Sequence, residues 1–220
     1  MKNKKFILGF SFVLLLAAFM AGSYFYKIKN LTDHPLDSHL EAKLVRAHSP
    51  VFGNSKAPVT LVEFLDPECE SCRKFYPLIK NLLKKYQDKV KLVIRYAPFH
   101  QNSRIAIRAL EAARLQGQYW QALETLFYYQ PQWGDHHNPK PELIFKFLQE
   151  LNIDMEKLET DMYSEEIKKI IAYDRMDLQE FQVNATPTFF VNGKRIKLFG
   201  IDYVEQSIQQ ELIRLRHLDL

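Results

Sequence analysis

The hydrophobic residues of the chain fall into two strand-like runs, several helical stripes and one long apolar segment near the N-terminus. Val59–Leu65 and Val90–Tyr96 are rich in β-branched and aromatic residues, which predicts two buried strands. Between them, apolar residues recur at helical spacing from Phe75 to Tyr86. The pattern therefore predicts a strand, a helix and a second strand in succession.

The segment from Asn102 to Tyr173 is helical in pattern almost throughout. Its apolar residues form four stripes at helical spacing. The stripes are Ala106, Ala109, Leu110 and Ala113; Trp120, Leu123, Leu126 and Phe127; Ile144, Phe147, Leu148 and Leu151; and Ile167, Ile170 and Ile171. We therefore predict a block of helices after the second strand.

A mostly apolar run extends from Phe6 to Tyr26, with lysines on both sides. Roughly 20 residues at helical rise can cross a bilayer, and basic residues before such a run favour export of the chain on its C-terminal side. We therefore expect residues 1–30 to be a membrane anchor, or a signal peptide cleaved near residues 21–23. The protein is then expected on the periplasmic side, anchored in the inner membrane or secreted. Residues 31–56 are polar and are predicted to be a tether and lead-in.

The composition is that of an ordinary globular protein. Of 220 residues, 47% are hydrophobic and 25% charged, with 7 Gly, 10 Pro and 2 Cys, which excludes disordered, collagen-like and disulfide-scaffold classes. The net charge is +4, but five of the 30 basic residues lie in the first 30 positions, which hold no acidic residue. The remainder, with 25 basic and 26 acidic residues, is nearly neutral. We therefore expect no nucleic-acid partner.

The two cysteines, Cys69 and Cys72, lie where the first strand turns into the helix. Spaced i and i+3 on the first helical turn, they share one face and can approach closely enough for a disulfide. Unpaired backbone amides at a helix N-terminus stabilise a thiolate, so Cys69 is predicted to be the exposed, reactive sulfur. Cys72 is predicted to be the shielded partner that resolves a mixed disulfide.

Two other uses of the cysteine pair stay open at this point. The pair could supply half of a tetrahedral metal site, completed by water or by a histidine such as His100, His136 or His137. It could also be a structural staple, although a loop of four residues removes little entropy from the unfolded chain.

An acidic residue, Glu63, interrupts the first strand six positions before Cys69. If its side chain faces inward, burial raises the pKa of the carboxyl group and suits it to exchange protons with Cys72. The alternatives are exposure on an edge strand or an ion pair with Arg95 of the next strand.

A second candidate element is the stretch from Ala185 to Gly193, which combines a Thr186–Pro187 step, a short apolar strand and an Asn-Gly turn. Residues 194–199 are predicted to be the returning strand. If the Thr186–Pro187 bond is cis and faces the cysteines, the backbone of Thr186 can pair with an extended polypeptide as an added strand. The alternative is a proline that merely begins a strand.

These motifs together resemble the DsbA-like thiol:disulfide oxidoreductases of the thioredoxin superfamily. The resemblance covers about residues 50–218 and rests on Glu63 before the cysteines, on the cysteine pair with Pro77 in the following helix, and on the Thr186–Pro187 loop. It implies an α/β, thioredoxin-like fold after the N-terminal hydrophobic helix. The implied divisions are a thioredoxin-like domain at 57–101 and 176–220 and an inserted helical domain at 102–175.

The resemblance also implies a role for each motif residue. Cys69 is expected to be the nucleophile, Cys72 the resolving thiol, Glu63 the buried proton acceptor and Pro187 a cis-proline beside the disulfide. Substrate contacts are expected from four residues at the mouth of the site: Thr186, Pro187, Glu70 and Ser71.

The expected function is disulfide exchange with unfolded or extended exported proteins, in the direction of oxidation, isomerisation or reduction. No cofactor is expected, because the disulfide carries the electrons. The resemblance implies recycling by a DsbB-like or DsbD-like membrane protein. Two alternatives are a copper- or zinc-handling module that uses the same cysteines outside the cytoplasm, and a non-catalytic interaction protein. Family members that are strong oxidants typically carry a Pro-His dipeptide between the cysteines, whereas this chain has Glu70 and Ser71, with Asp66 and Glu68 nearby. These acids, partly offset by Arg73 and Lys74, predict a higher Cys69 pKa and a less oxidising protein than the Pro-His members.

Overall fold

The computed structural model describes residues 14–23 and 43–218. Residues 14–23 are helical with exposed side chains. The rest of the predicted N-terminal hydrophobic segment lies outside the described residues. Within the two described ranges, no helix is both long and apolar enough to cross a membrane.

A mixed sheet forms the centre of the described fold. Its five strands are β1 (Val51–Phe52), β2 (Val59–Leu65), β3 (Val90–Tyr96), β4 (Thr188–Val191) and β5 (Lys194–Arg195). They lie in the order β1-β3-β2-β4-β5. The β2–β3 pair is parallel, and the other three pairs are antiparallel. Both strands predicted from apolar runs are confirmed, with the predicted bounds.

The helices flank this sheet, which makes the predicted α/β class correct. Their bounds are α1 (Glu70–Lys85), α2 (Ser103–Leu115), α3 (Tyr119–Tyr128), α4 (Gln130–Trp133), α5 (Leu143–Leu148), α6 (Met155–Asp161), α7 (Glu165–Glu180) and α8 (Ile201–Leu218). Helix α1 is the crossover that parallel strands require between β2 and β3. Helices α2–α7 separate β3 from β4 along the chain, as the four stripes predict.

The two faces of the sheet bury different clusters. Because strand side chains alternate, Leu61 and Leu65 of β2 share one face with the cysteines, α1 and most of the helical block. Phe64 lies on the other face and packs with Leu178 and Phe181 at the end of α7. The helical block therefore shares one continuous core with the cysteine side of the sheet. The domain divisions at 57–101, 102–175 and 176–220 remain predictions.

Two edges of the sheet differ from the sequence interpretation. In the predicted lead-in, Val51 and Phe52 form the edge strand β1, and Leu44 is buried in the core. At the other edge, Asn192 and Gly193 both have positive φ and form the predicted turn. The returning strand ends at Arg195, before the predicted residue 199, and the backbone reaches helix α8 through Gly200.

Candidate active site

The first cysteine occupies the N-cap position of α1. The backbone N–H of Cys69 donates to the Asp66 carbonyl at 3.1 Å, and the Cys69 carbonyl accepts from Arg73 at 3.1 Å as the helix begins. Cys72 lies in the first turn. Both are free thiols; Cys69 is 7% exposed and Cys72 is fully buried. Their predicted placement at a strand-to-helix junction is confirmed, but the accessible part of Cys69 is smaller than expected.

The structure brings the Thr186–Pro187 loop onto the cysteine pair. The Thr186–Pro187 peptide bond is cis. The Cys69 Sγ lies 3.4 Å from the carbonyl oxygen of Thr186, to which it donates when it is protonated. Residues 117 positions apart therefore meet, because β4, which follows the loop, pairs with β2, which precedes the cysteines.

The two thiols differ in acidity. Hydrogen bonding from the Cys72 thiol, aided by hydrogen bonds involving Thr186 and the N–H groups of the first helical turn, lowers the pKa of Cys69 to about 5 against the opposing effect of burial. Burial raises the pKa of Cys72 well above its usual range, with further increases from its hydrogen bond to Cys69 and from the charge of Glu63. At neutral pH, Cys69 is a thiolate and Cys72 is a thiol.

Glu63 is fully buried in the central strand β2, and neither carboxyl oxygen has a hydrogen-bond partner. In register it lies between Ile94 of β3 and Phe189 of β4. Burial, with a smaller contribution from the Cys69 charge, raises the pKa of Glu63 to about 8. The inward orientation is confirmed, and both alternatives, edge exposure and an Arg95 ion pair, are wrong.

The residues between the cysteines lie at the surface. Glu70 is exposed and pairs weakly with Lys74 at 3.8 Å, and Ser71 is half-buried. Acidic residues flank Cys69 along the chain, yet its pKa lies below the ordinary value of a thiol. The expectation of a less oxidising protein than the Pro-His members stays a prediction. Glu68 is buried and accepts from the backbone and side-chain N–H groups of Asn102 at 2.7 and 2.9 Å. The hydrogen bonds around the sulfur therefore decide its acidity.

Two residues at the site have contacts that the sequence did not predict: Gln130 was not singled out, and His100 was considered only as a possible metal ligand. Gln130 of α4 is buried, and its amide donates to the carbonyls of Pro67 and Cys69 at 2.8 and 3.0 Å. His100 donates from Nδ1 to Asp66 at 2.7 Å. No local pattern marks either residue, because both reach the site only through contacts between distant parts of the chain.

The metal alternative finds no support in the part of the chain that the structure describes. There, no group of three or more His, Cys, Asp or Glu side chains is arranged to hold a metal ion. The rings of His100 and His136 are neighbours, with centroids 5.0 Å apart. His137 lies in an exposed turn, with its backbone N–H on Asp135.

A curated relative matches most of this chain in sequence. The Na(+)/H(+) antiporter NhaA 1 of Mycolicibacterium gilvum (strain PYR-GCK) is 32% identical over 189 residues, which is 81% of this chain. The chain spans 29% of the length of that relative. The relative's name therefore describes a protein of which less than a third is matched.

Solved structures with the same fold include oxidoreductases. BdbD from Bacillus subtilis, in its oxidised form, is 29% identical with a TM-score of 0.68, covering 83% of this chain and 97% of that chain. A thioredoxin-like oxidoreductase from Silicibacter pomeroyi DSS-3 is 26% identical with a TM-score of 0.67, covering 77% and 95%. The thiol-disulfide exchange protein alpha-DsbA2 from Wolbachia pipientis, 19% identical with a TM-score of 0.68 over 79% and 92%, shares the fold.

A family model described as thioredoxin matches residues 46–210, well over half of the chain. This range contains both cysteines, Glu63 and the Thr186–Pro187 loop. The predicted thioredoxin-like fold is confirmed, and the chain belongs to the thioredoxin family.

Proposed function

We propose that the protein is a thiol:disulfide oxidoreductase that donates its Cys69–Cys72 disulfide to exported proteins. The observation that carries this proposal is the asymmetry of the two sulfurs. Cys69 is partly accessible beside the Thr186 carbonyl with a pKa of about 5, and Cys72 is buried behind it with a raised pKa. Such a pair has one sulfur for exchange and one for resolution.

The oxidising direction follows from the stability of the reduced form. A thiol pKa of about 5 lies between the ~7 of thioredoxin and the ~3.5 of DsbA. A stabilised thiolate favours the reduced pair and makes the disulfide a better electron acceptor. We therefore expect a reduction potential between the values of about −270 and −120 mV for those two proteins.

The proposed reaction balances electrons and protons. A substrate thiolate attacks the Cys69 Sγ, the Cys69–Cys72 bond breaks, and Cys72 leaves as a thiolate that takes a proton from neutral Glu63, whose pKa is about 8. A second substrate thiolate then attacks the substrate sulfur bonded to Cys69. The substrate gains a disulfide, two electrons pass to the enzyme, and Cys69 departs as the thiolate.

An extended or unfolded polypeptide fits the surroundings of Cys69. The Thr186 backbone beside the sulfur offers strand-like hydrogen bonding, and Glu70 and Ser71 lie next to it at the surface. Exposed apolar side chains flank the site: Phe99 is 45% exposed, and Phe199 is 63% exposed and packs on Phe75 of α1 at 4.6 Å between centroids. An unfolded chain presents the apolar groups that such a surface can bind.

The location and the recycling partner belong to the same proposal. Disulfide donation is useful in an oxidising compartment, so we place the protein outside the cytoplasm, held by the N-terminal hydrophobic segment or secreted. Catalytic turnover requires reoxidation of the dithiol. We propose a DsbB-like membrane protein as its oxidant.

Two measurements on the full chain test this function. The fraction of oxidised protein in glutathione buffers gives the reduction potential. The Cys72→Ala variant, whose Cys69 is first converted to a mixed disulfide with thionitrobenzoate, is expected to be attacked by a thiolate of reduced, unfolded ribonuclease A, to release thionitrobenzoate and to accumulate a mixed disulfide with the substrate. The Cys69→Ala variant, treated in the same way, is not expected to accumulate it. A potential at or below that of thioredoxin contradicts disulfide donation, and equal trapping by both variants contradicts the assigned roles.

A further inference from the structure

The turn before the cysteines is bound to the loop that follows β3. Asp66 is fully buried, and its Oδ2 accepts from the backbone N–H of Phe99 at 2.9 Å and from the Ser103 hydroxyl at 2.8 Å. Its Oδ1 accepts from the N–H of Glu68 at 2.9 Å. Together with the bonds from Asn102 to Glu68, these contacts hold the 99–103 loop against the cysteine turn.

The same carboxylate holds His100. The His100 Nδ1 donates to Asp66 Oδ2 at 2.7 Å, and the His100 backbone N–H donates to the same oxygen at 3.2 Å. The side chain of His100 is 28% exposed, and its ring lies beside that of His136. This bond fixes the ring and selects the tautomer that is protonated at Nδ1.

The charged groups around His100 favour its protonated form. Its hydrogen bond to Asp66 raises the pKa of His100, the charges of Asp66, Cys69 and Glu68 raise it further, and burial opposes them. His136, from the loop after α4, is the other titratable ring in contact. Asp66, which holds the ring, also accepts from the backbone N–H of Cys69 at 3.1 Å through its own carbonyl, so the ring is held beside the cysteine turn.

The basic residues that follow Cys72 are directed to other partners. Arg73 donates from Nε to Gln130 at 2.9 Å. Lys74 pairs with Glu70, and both side chains are more than half exposed, so solvent screens their charges. Both basic side chains therefore have partners other than the sulfur, whereas His100 is bound to Asp66 of the cysteine turn.

On this basis, and resting on the proposed function, we propose that His100, held by Asp66, is a positioning residue whose positive charge stabilises the Cys69 thiolate. The pair is linked through the redox cycle, because the thiolate exists in the reduced form and is absent from the disulfide. His100 therefore binds its proton more tightly in the reduced protein, and it makes the disulfide a stronger oxidant at a pH where it is charged.

Three variants separate charge from structure. His100→Asn keeps a donor near the position of Nδ1 without a charge, and His100→Lys restores a charge. His137→Asn makes the same chemical change in the exposed turn. In the reduced full chain, thiolate absorbance near 240 nm against pH is expected to give a Cys69 pKa higher by about one unit in His100→Asn. The pKa is expected to stay near the wild-type value in the other two.

The exchange equilibrium supplies a second readout. A pKa higher by one unit corresponds to about a tenfold shift of the glutathione equilibrium towards the disulfide form. An unchanged Cys69 pKa in His100→Asn, or equal increases in His100→Asn and His100→Lys, overturns the proposal. If wild-type protein shows no reversible exchange at all, the proposed function fails as well; if it exchanges normally, the assignment of His100 alone fails.

A measurement without substitution guards against misfolding of the variants. The pH titration of the His100 ring C–H resonance is followed by NMR in the reduced and in the oxidised wild-type protein. The resonance is assigned by its absence from the spectrum of His100→Asn or by labelling. The pKa of His100 is expected to be higher in the reduced form, since linkage between two sites is reciprocal. Equal pKa values in the two redox states overturn the proposal.

Discussion

Glu63 and Arg95 lie on the neighbouring strands β2 and β3 but point to opposite faces of the sheet. Glu63 pairs in register with Ile94, so Arg95, the next residue along β3, faces the other way. Both side chains are fully buried. Arg95 is satisfied by Asp174 and Asp177, and Glu63 has no hydrogen-bond partner. One face holds a paired charge, and the other holds an acid that burial keeps neutral.

The first prediction concerns this buried acid. Because the pKa of Glu63 is raised to about 8 in the folded protein, the folded state binds one proton more than the unfolded state between the two pKa values. The free energy of unfolding therefore falls as pH rises from about 4.5 to 8, by on the order of 5 kcal/mol at most. Glu63→Gln removes this loss, so the variant is expected to gain stability over the wild type as pH increases.

Urea unfolding of the reduced protein between pH 5 and pH 9 measures the effect. Glu159→Gln, at an exposed position of α6, makes the same change of charge without burial and is expected to track the wild type. A difference between Glu63→Gln and wild type that stays constant across this range contradicts the raised pKa.

The second prediction concerns the source of the acidity of Cys69. The hydrogen bond from Cys72 is the largest influence that lowers the pKa of Cys69. Cys72→Ala removes the donor, so the pH midpoint of Cys69 alkylation by iodoacetamide is expected to rise above about 5. Each unit of increase lowers the thiolate fraction about tenfold at a pH below the wild-type midpoint, and the reaction slows accordingly.

Cys72→Ser is the matched control, because its hydroxyl keeps a donor at nearly the same place. Its midpoint is expected to lie closer to that of the wild type. A midpoint near 5 in Cys72→Ala means that the helix N-terminus alone sets the acidity.

Local sequence was sufficient for the elements whose pattern spans a whole strand or several helical turns. The bounds of β2 and β3 followed from uninterrupted β-branched and aromatic runs, and the turn at Asn192–Gly193 from two residues that tolerate positive φ. Short elements escaped prediction, because the two residues of β1 and the four of α4 cover only about one period each, and a pattern is recognised only when it repeats.

At the candidate site, too, local motifs were predictable from the sequence and tertiary contacts were not. The cysteines, Glu63 and the Thr186–Pro187 step were visible as motifs, whereas His100 contacts Asp66 from 34 positions away. Distance along the chain is also a poor guide to which charges act on Cys69. Glu68 is adjacent to Cys69 in sequence, but its carboxylate is bound to Asn102. Which acid acts on the sulfur depends on tertiary hydrogen bonds that the sequence does not specify.

The third prediction separates stability from thiol chemistry. Asp174 accepts from Arg95 at 2.9 and 2.7 Å and from the N–H of Tyr96 at 2.7 Å, on the sheet face opposite the cysteines. Asp174→Asn removes one of the two carboxylates that pair with the buried Arg95 guanidinium, and it is expected to lower the free energy of unfolding by about 3 kcal/mol. The pKa of Cys69 is expected to stay unchanged.

Chemical denaturation and thiolate titration of the same variant provide both numbers. Asp161→Asn, which breaks the surface pair with Lys157, serves as the control and is expected to cost less than about 1 kcal/mol. A shift of the Cys69 pKa in Asp174→Asn, with the fold intact, argues against electrostatic separation of the two faces.

The last prediction concerns the hydrogen bonds by which Gln130 connects the helical block to the cysteine turn. Gln130 of α4 donates to the carbonyls of Pro67 and Cys69 and accepts from Arg73, so one amide fixes both sides of the α1 N-terminus. Gln130→Ala removes the side-chain donor from the Pro67 carbonyl and one of the two donors from the Cys69 carbonyl, and is expected to lower the free energy of unfolding by about 2 kcal/mol. Since Cys69 must also keep its place beside Thr186, slower exchange with glutathione is expected, by about tenfold. Gln132→Ala, at an exposed position of the same helix, is expected to change neither quantity. If Gln130→Ala loses stability but exchanges with glutathione at the wild-type rate, the Gln130 hydrogen bonds support the fold alone, and the position of Cys69 is set by α1 and β4.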